Sequence, residues 1–421
     1  MSFDNKRILV ISNDAFSSSN SNGRTLMNFL KNIPKEYLAQ FYIHGVPDRE
    51  ICCAYYQNSD ADALNAFLGR EKDRKNIPDN EKNISQNSGV KVKYKRNFVN
   101  LLIRNTVWCS MRWWGREFDD FLDEFRPEVV LLQAGDAPFM YAVALKVSAK
   151  FGAGLLMFNS ESYVLKKRMY ASARRYSLWH ALFMSSLRKQ YSKFMDKADY
   201  CIYSLEALEK AYQERYPHVG RSCTLYTTSE MPSLPDRSGE QFTLLYCGNL
   251  GVGRDEPINQ LAKVLYEIDT SARIDIYGKF VSEESKKLIC SNPNVCYKGF
   301  VDYSEIPDLM SRASMLFHCE NNGRLENLRY AFSTKIADSL ACARPFLVYA
   351  SREYPFVQYL EKNKCAHIAS DPGELKSVLS KCINDREYRY RFTDNARKVA
   401  LKNHNREANS RRIAEIIEQI T

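Results

Sequence analysis

The sequence is poor in the patterns that assign a chain quickly. It contains no CxxC pair, and its 12 cysteines are scattered, mostly inside apolar runs such as Tyr200 to Ser204 and Leu244 to Gly248. The one adjacent pair, Cys52 and Cys53, has no histidine beside it, which argues against structural zinc and against a disulfide framework and for a reducing compartment. The six histidines show neither HxxxH nor HExxH spacing, so no metal site is expected. GxGxxG and GxxxxGK[ST] are both missing, which removes the dinucleotide fingerprint and the P-loop. No run approaches the ~18 apolar residues of a membrane span. The polar stretch Met1 to Arg7, followed by only four apolar residues, does not read as a signal peptide. The expectation is a cytosolic protein.

What is present is enough for real cores. At 421 residues the chain exceeds what one hydrophobic core serves, so two domains are expected. With 45% hydrophobic and 26% charged residues, neither disorder nor a fibre fits. The 60 Lys and Arg against 50 Asp and Glu leave a charge of +10, which suits phosphates or anionic lipid and also many ordinary soluble proteins.

Short apolar runs alternate with polar loops and helical stretches through both halves, the pattern of an α/β protein. The expected strands are 6–12, 39–45, 90–94, 129–133, 154–158 and 200–204, then 242–247, 273–277, 295–298, 314–319, 345–350 and 367–370. Most are continuous and not alternating, which marks strands of a parallel sheet buried on both faces. Pro232, Pro235 and Gly239 punctuate a polar stretch between the two series. The expected organisation is therefore a first Rossmann-like domain at 1–225, a linker at 226–241, a second domain at 242–384, and helices at 385–421 that pack back across the domains, with the two parallel sheets facing a cleft.

In open parallel sheets ligands bind beyond the carboxyl ends of the strands, so polar residues there carry the chemistry. After the first strand, a small polar loop ends in Gly23 and Arg24 ahead of a helix, which allows close backbone approach and points amides at an anion. An ordinary surface loop has the same composition. The second series opens LLYCGNLGVGR, where Gly248, Asn249 and Arg254 supply free amides and a guanidinium fork for a diphosphate. In MLFHCE, Glu320 ends a buried strand, where a carboxylate is costly unless it has hydrogen-bonding work. Ser333, as N-cap, with Thr334 and Lys335 forms an anion site at the next helix, and Asp338 lies one turn deeper, placed for a ribose diol. Singly, each has a bland explanation as a cap or a solvated carboxylate. Their coincidence at one sheet edge favours a site.

Gly248-Asn249-Leu250, Tyr277-Gly278, Lys298-Gly299-Phe300-Val301, then Phe332-Ser333 to Asp338 and Ala341 to Pro345, resemble the donor domain of retaining glycosyltransferases of the GT-B fold, of the family-four, bacterial polysaccharide type. The resemblance covers most of residues 242–400. It implies donor contacts from Gly248, Asn249 and Arg254 at the diphosphate, Gly299, Phe300 and Val301 near the base, Ser333, Thr334 and Lys335 at phosphate, and Asp338 at ribose. That family carries two glutamates separated by seven residues. Here the second is Asp338 and the first position is Tyr330, so Glu320, with Glu326 in reserve, is assigned to the donor sugar. The family's first-domain histidine is also missing, and Glu161 in FNSES is offered as a proton shuttle at the acceptor. The implied reaction moves a sugar from a nucleotide-diphosphate-sugar to a hydroxyl of a glycan or lipid-linked acceptor, with retention and without a metal. A GT-B sugar-nucleotide epimerase and a non-catalytic nucleotide-sugar-binding scaffold are the rival readings.

Between residues 166 and 197, nine Lys and Arg face a single acid, Asp196, with Tyr170, Tyr176, Trp179, Phe183, Tyr191 and Phe194 interleaved. Such a segment suits an anionic membrane surface, with the rings at the headgroup boundary, or a solvated helix with its rings in the core. Nucleic acid is not expected as a partner, since no known binding motif accompanies the bases.

Overall fold

The computed structural model describes residues 6–17, 21–70, 97–166, 178–217 and 221–420. Two wholly parallel sheets organise it. The first has seven strands: β1 (Ile8–Asp14), β2 (Leu38–His44), β3 (Ala54–Gln57), β4 (Val129–Gln133), β5 (Gly154–Asn159), β6 (Tyr200–Tyr203) and β7 (Ser222–Thr224), in the order β3-β2-β1-β4-β5-β6-β7. The second has six: β8 (Thr243–Cys247), β9 (Arg273–Tyr277), β10 (Val295–Gly299), β11 (Met315–Cys319), β12 (Phe346–Tyr349) and β13 (His367–Ala369), in the order β10-β9-β8-β11-β12-β13. Each is a Rossmann-like sheet whose first strand is internal, with the order of strand addition reversing between the parallel neighbours β1 and β4 and between β8 and β11. Those switch points are where such sheets bind ligands.

The expected strands within the described residues match in place, the alternately buried RIDIY and the edge strand VCYKG included. VVLLQ and RIDIY have the bounds read from sequence, and the others shift by one or two residues. The strand expected at 90–94 lies outside the described residues. β3 and β7, absent from the expected set, are the outer edges of the first sheet, short and half-exposed, where burial imposes no apolar run. All 12 cysteines are free thiols, and among the described residues no helix is long and apolar enough to cross a membrane.

The chain passes between the two units twice. The first passage, 226–241, runs along the second unit: Leu234 N donates to Cys342 O at 2.9 Å and Arg237 N to Ser311 O at 2.9 Å. The second follows helix Thr393–Asn403, whose buried Ala396 and Ala400 lie against the second unit. Helix Arg406–Glu418 then returns to the first sheet, where Ile413, Ile416, Ile417 and Ile420 share one core with Ile8, Val10, Leu131 and Leu156. Lys6 Nζ closes this contact on the carbonyl of Glu418 at 3.3 Å.

The two passages meet at His404. Its Nδ1 lies 2.7 Å from Thr227 O and its Nε2 3.0 Å from Tyr359 Oη, while Ser229 N donates to His404 O at 2.9 Å. The ring is buried and stacks on Phe332 with centroids 5.4 Å apart. Burial pushes the imidazole down to about 4, so it is neutral, donating from Nδ1 to the carbonyl and accepting from the tyrosine at Nε2. A group whose folded pKa is depressed contributes stability above its unfolded value that is lost as pH falls. Acidification from about pH 6.5 to 4 should therefore cost the protein about 3 kcal/mol at this site. Urea unfolding of wild type and His404→Gln across that range checks it, the variant losing part of the acid sensitivity.

Candidate active site

The carboxyl ends of β8, β9 and β10 each stop at a glycine, and the glycines lean on one another. Gly278, at φ +158°, lies so close to the preceding turn that a Cβ there would stand 1.8 Å from Gly248 O. Gly248 N donates to Tyr277 O at 2.7 Å, and Gly278 N to Gly299 O at 2.8 Å. At Gly248, a Cβ would meet Lys335 Cε at 1.8 Å, so only a bare turn lets the lysine chain lie across it.

Lys335 comes from helix Thr334–Ala341, which begins beside the turn. Its ammonium has no hydrogen bond or ion pair among the described residues. Loss of water around it, with repulsion from Arg254, pushes it down to about 8, which leaves it charged at neutral pH. Thr334 lines the same cleft. Ser333 sits at the N-cap position, yet its side chain makes no cap hydrogen bond, contrary to the cap expected from the sequence.

A cleft of about 840 Å³ opens here, bounded by Gly248, Asn249, Phe300, Val301, Lys335 and Asp338 from the second unit and by Arg24 from the first. Asn249 also braces the turn, its Oδ1 accepting from Gly251 N at 2.8 Å. Phe300 is two-thirds exposed at the rim with the Lys279 ammonium 4.8 Å from its ring centre, while Gly299 provides the left-handed turn before it, at φ +82°. Asp338 is buried and accepts from Ser229 Oγ at 2.6 Å and Tyr303 Oη at 3.2 Å. Burial raises its pKa, opposed by Ser229 and Arg24. Arg24 stacks on Tyr303 at 4.3 Å, so the expected first-domain arginine does reach the donor side. Gly23 serves packing instead: a Cβ there would lie 2.3 Å from Ala15 O.

Two expected site residues are placed differently. Arg254 and Glu320, assigned from sequence to the diphosphate and the sugar, are each other's partners. The guanidinium grips the carboxylate through both Nε, at 3.1 Å, and Nη2, and neither residue lines the cleft. The pair is nearly closed to water, at 11% and 6% exposure. Burial alone would raise Glu320, but the neighbouring His318 ring and then the permanently charged Arg254 hold it down to about 2. The cause of the misplacement is that each charge needs a counter-charge in a dry interior, and the other is the one in reach. Glu161 also stands apart, ion-paired to Lys166 at 2.7 Å and outside the cleft. The reserve, Glu326, is exposed and does not line the cleft either.

Residues that sequence reasoning passed over include Lys279, Asp302, Tyr303 and His318, all of which line the cleft. His318 had a signal: an imidazole one residue before the end of an otherwise apolar buried strand. Among the described residues no group of three or more His, Cys, Asp or Glu could hold a metal ion.

Removing one partner of a buried pair leaves the other charge unpaired, so Glu320→Ala should destabilise the fold by about 3–5 kcal/mol. Arg254→Met with Glu320→Leu should recover most of that. Denaturant melts of the three proteins test the pair.

The family model described as glycosyl transferase-like matches residues 256–417. No curated protein sequence matches the chain. Several solved structures share its whole architecture at low identity. Sucrose-phosphate synthase from Thermosynechococcus elongatus superposes with a TM-score of 0.65 at 13% identity, covering 98% of each chain. HepE from Anabaena, solved with UDP, gives 0.63 at 12%, covering 98% of this chain and 100% of that one. WaaG, a glycosyltransferase of lipopolysaccharide biosynthesis, gives 0.56 at 15%, covering 97% and 99%. The chain is thus a protein of the GT-B glycosyltransferase fold, with a glycosyl transferase-like domain over residues 256–417.

Proposed function

We propose that the protein transfers a sugar from a nucleotide-diphosphate-sugar to a hydroxyl of a glycan or lipid-linked acceptor in polysaccharide or glycolipid assembly. The observation that carries this reading is the unpartnered Lys335 ammonium, held against the Gly248 turn inside a cleft between two Rossmann-like units. A fixed cation in a partly dried site is what a departing nucleoside diphosphate needs, and it costs no rearrangement when charge develops. Phe300 and Val301 offer an apolar edge for a base, and Asp338 an acceptor for a ribose diol in exchange for its bonds to Ser229 and Tyr303. Retention is carried over from the family resemblance. Support also comes from relatives of the same fold: HepE was solved with UDP-glucose, and a TarM variant from S. aureus with UDP, α-GlcNAc-glycerol and fondaparinux. Lys335 and Arg24 supply positive charge directly, so the reading includes turnover without a divalent ion.

Lys335→Ala should weaken binding of the donor by one to two orders of magnitude, roughly the loss of a charged hydrogen bond of about 1.5–3 kcal/mol. Calorimetric titration with UDP-glucose, GDP-mannose and ADP-glucose provides the measurement, and unchanged affinity in the variant would remove Lys335 from the site. Transfer should persist in EDTA.

The acceptor side bears on the membrane part of this proposal. In helix Leu178–Met195 the rings of Phe183, Tyr191 and Phe194 are buried in the core, not at a headgroup boundary. Lys166 is paired with Glu161, and Arg188 Nε donates to Val164 O at 3.1 Å, while 167–177 lies outside the described residues. Leu178, Trp179 and Leu182, however, are exposed at 71%, 50% and 46%. We assign membrane contact to this end of the helix, with the exposed Lys189 and Lys193 further along it. Vesicles containing phosphatidylserine should sediment the protein at low salt, less so at high salt or with Trp179→Ala and Leu182→Ala together. Wild type remaining in the supernatant at low salt would end the membrane part alone.

A further inference from the structure

His318 is the one imidazole among the described residues that line the donor cleft. It is 2% exposed, lies on the same face of β11 as the cleft-lining Leu316, and packs edge-on against Phe356 at 5.7 Å. Nδ1 has no hydrogen-bond partner, and Nε2 stands 3.2 Å from Glu320 Oε1 without well-formed hydrogen-bond geometry. A buried imidazole with one nitrogen unmet and the other poorly aligned is costly, and contacts at catalytic sites are often misaligned until a ligand arrives.

The charged and titratable groups around the ring define what that ligand must be. Glu320 lies on its own chain segment, Arg254 at the start of helix Asp255–Ile268, Lys335 on helix Thr334–Ala341, Cys247 at the end of β8, and Tyr354 ahead of helix Pro355–Lys362. Burial keeps the Cys247 thiol and the Tyr354 phenol protonated and neutral. Arg254 and Glu320 cancel, which leaves Lys335 as the net charge next to the ring, and His318 is neutral because burial pushes its pKa down. A nucleotide-sugar carries one negative charge on each of its two phosphates. Lys335 balances one of them. Arg24, from the first unit, and Lys279, beside the exposed Phe300, also line the cleft, but on its buried floor the remaining group able to gain charge is His318, beside a carboxylate.

We propose that His318 holds the diphosphate of the donor as an imidazolium, taking up its proton from solvent as the ligand enters. This rests on the donor reading above. No covalent bond forms or breaks, and Glu320 is the positioning residue behind the ring.

The test begins with a thermal-shift choice among UDP-glucose, GDP-mannose and ADP-glucose, whose diphosphate diesters do not themselves titrate near neutrality. The one that binds is then titrated calorimetrically at pH 6.5 in two buffers of different ionisation heat. Lys335, at about 8, is already charged there and takes up little. Wild type should take up about half to one proton, and its affinity should fall by up to tenfold per pH unit between about pH 6 and 8. His318→Gln should bind more weakly with no uptake. Binding by wild type without proton uptake, or equal uptake in the variant, overturns the role of His318 and leaves the donor reading standing. Binding of none of the three overturns both. Should the variant not fold, the wild-type proton count and pH profile decide alone.

Discussion

A lysine ammonium kept charged in a half-dry cleft is the constraint on which the second unit depends. Lys335 can lie where it does because Gly248 has no side chain, and Gly248 is fixed by contact with Gly278, itself fixed against the end of β10. A charge so placed would be lost if Arg254 stood beside it uncompensated. Glu320 absorbs Arg254 in a bidentate pair, so the local field contains one net positive charge instead of two. The pair thus acts on the cleft without lining it. Its worth is arrangement, since a buried ion pair by itself adds little stability and is costly only when broken.

The other half of the site depends on how the chain crosses between the units. Ser229, in the first passage, donates to Asp338 inside the cleft, and the same residue's amide is bound to His404 in the second passage. Arg24, from the first unit, reaches Tyr303, which also donates to Asp338. A cleft carboxylate is therefore held by groups from the linker and the second unit, close to a cation from the first. The last helix completes this by joining the core of the first sheet, so the two units are tied at both ends of the second one. Any change in the spacing of the units would be felt at Asp338, because its hydrogen bonds of 2.6 and 3.2 Å leave little slack.

Much of this was legible in the residues, and the parts that were not share a reason. VVLLQ reads as a central strand because a segment covered on both faces must be apolar throughout, a property of the segment alone. AYYQ and SCT escape because an edge strand answers to no such rule. Glycines at 248, 278 and 299 end three strands of the second sheet for local reasons of their own: Gly278 lies against the backbone of Gly248, Gly248 leaves room for the Lys335 chain, and Gly299 takes a left-handed φ of +82°. Of the residues singled out from sequence, Gly248, Lys335, Asp338 and Arg24 line one cleft in the structure.

Charge partnership is different in kind. Glu320 could be recognised as a carboxylate in need of a partner, yet nothing in the spacing says that the partner is Arg254, 66 residues earlier, and not a bound sugar. Glu161 looked free and is held by Lys166, five residues on. His318 was hidden inside an apolar run until its face of the strand was known. The sequence by itself determined the α/β architecture and the strand ends at which a ligand would sit, because burial and backbone approach act on a few consecutive residues. Only the tertiary structure decided which charges cancel and which stay available, because a Coulomb interaction depends on a few ångströms between groups that the chain brings together from far apart.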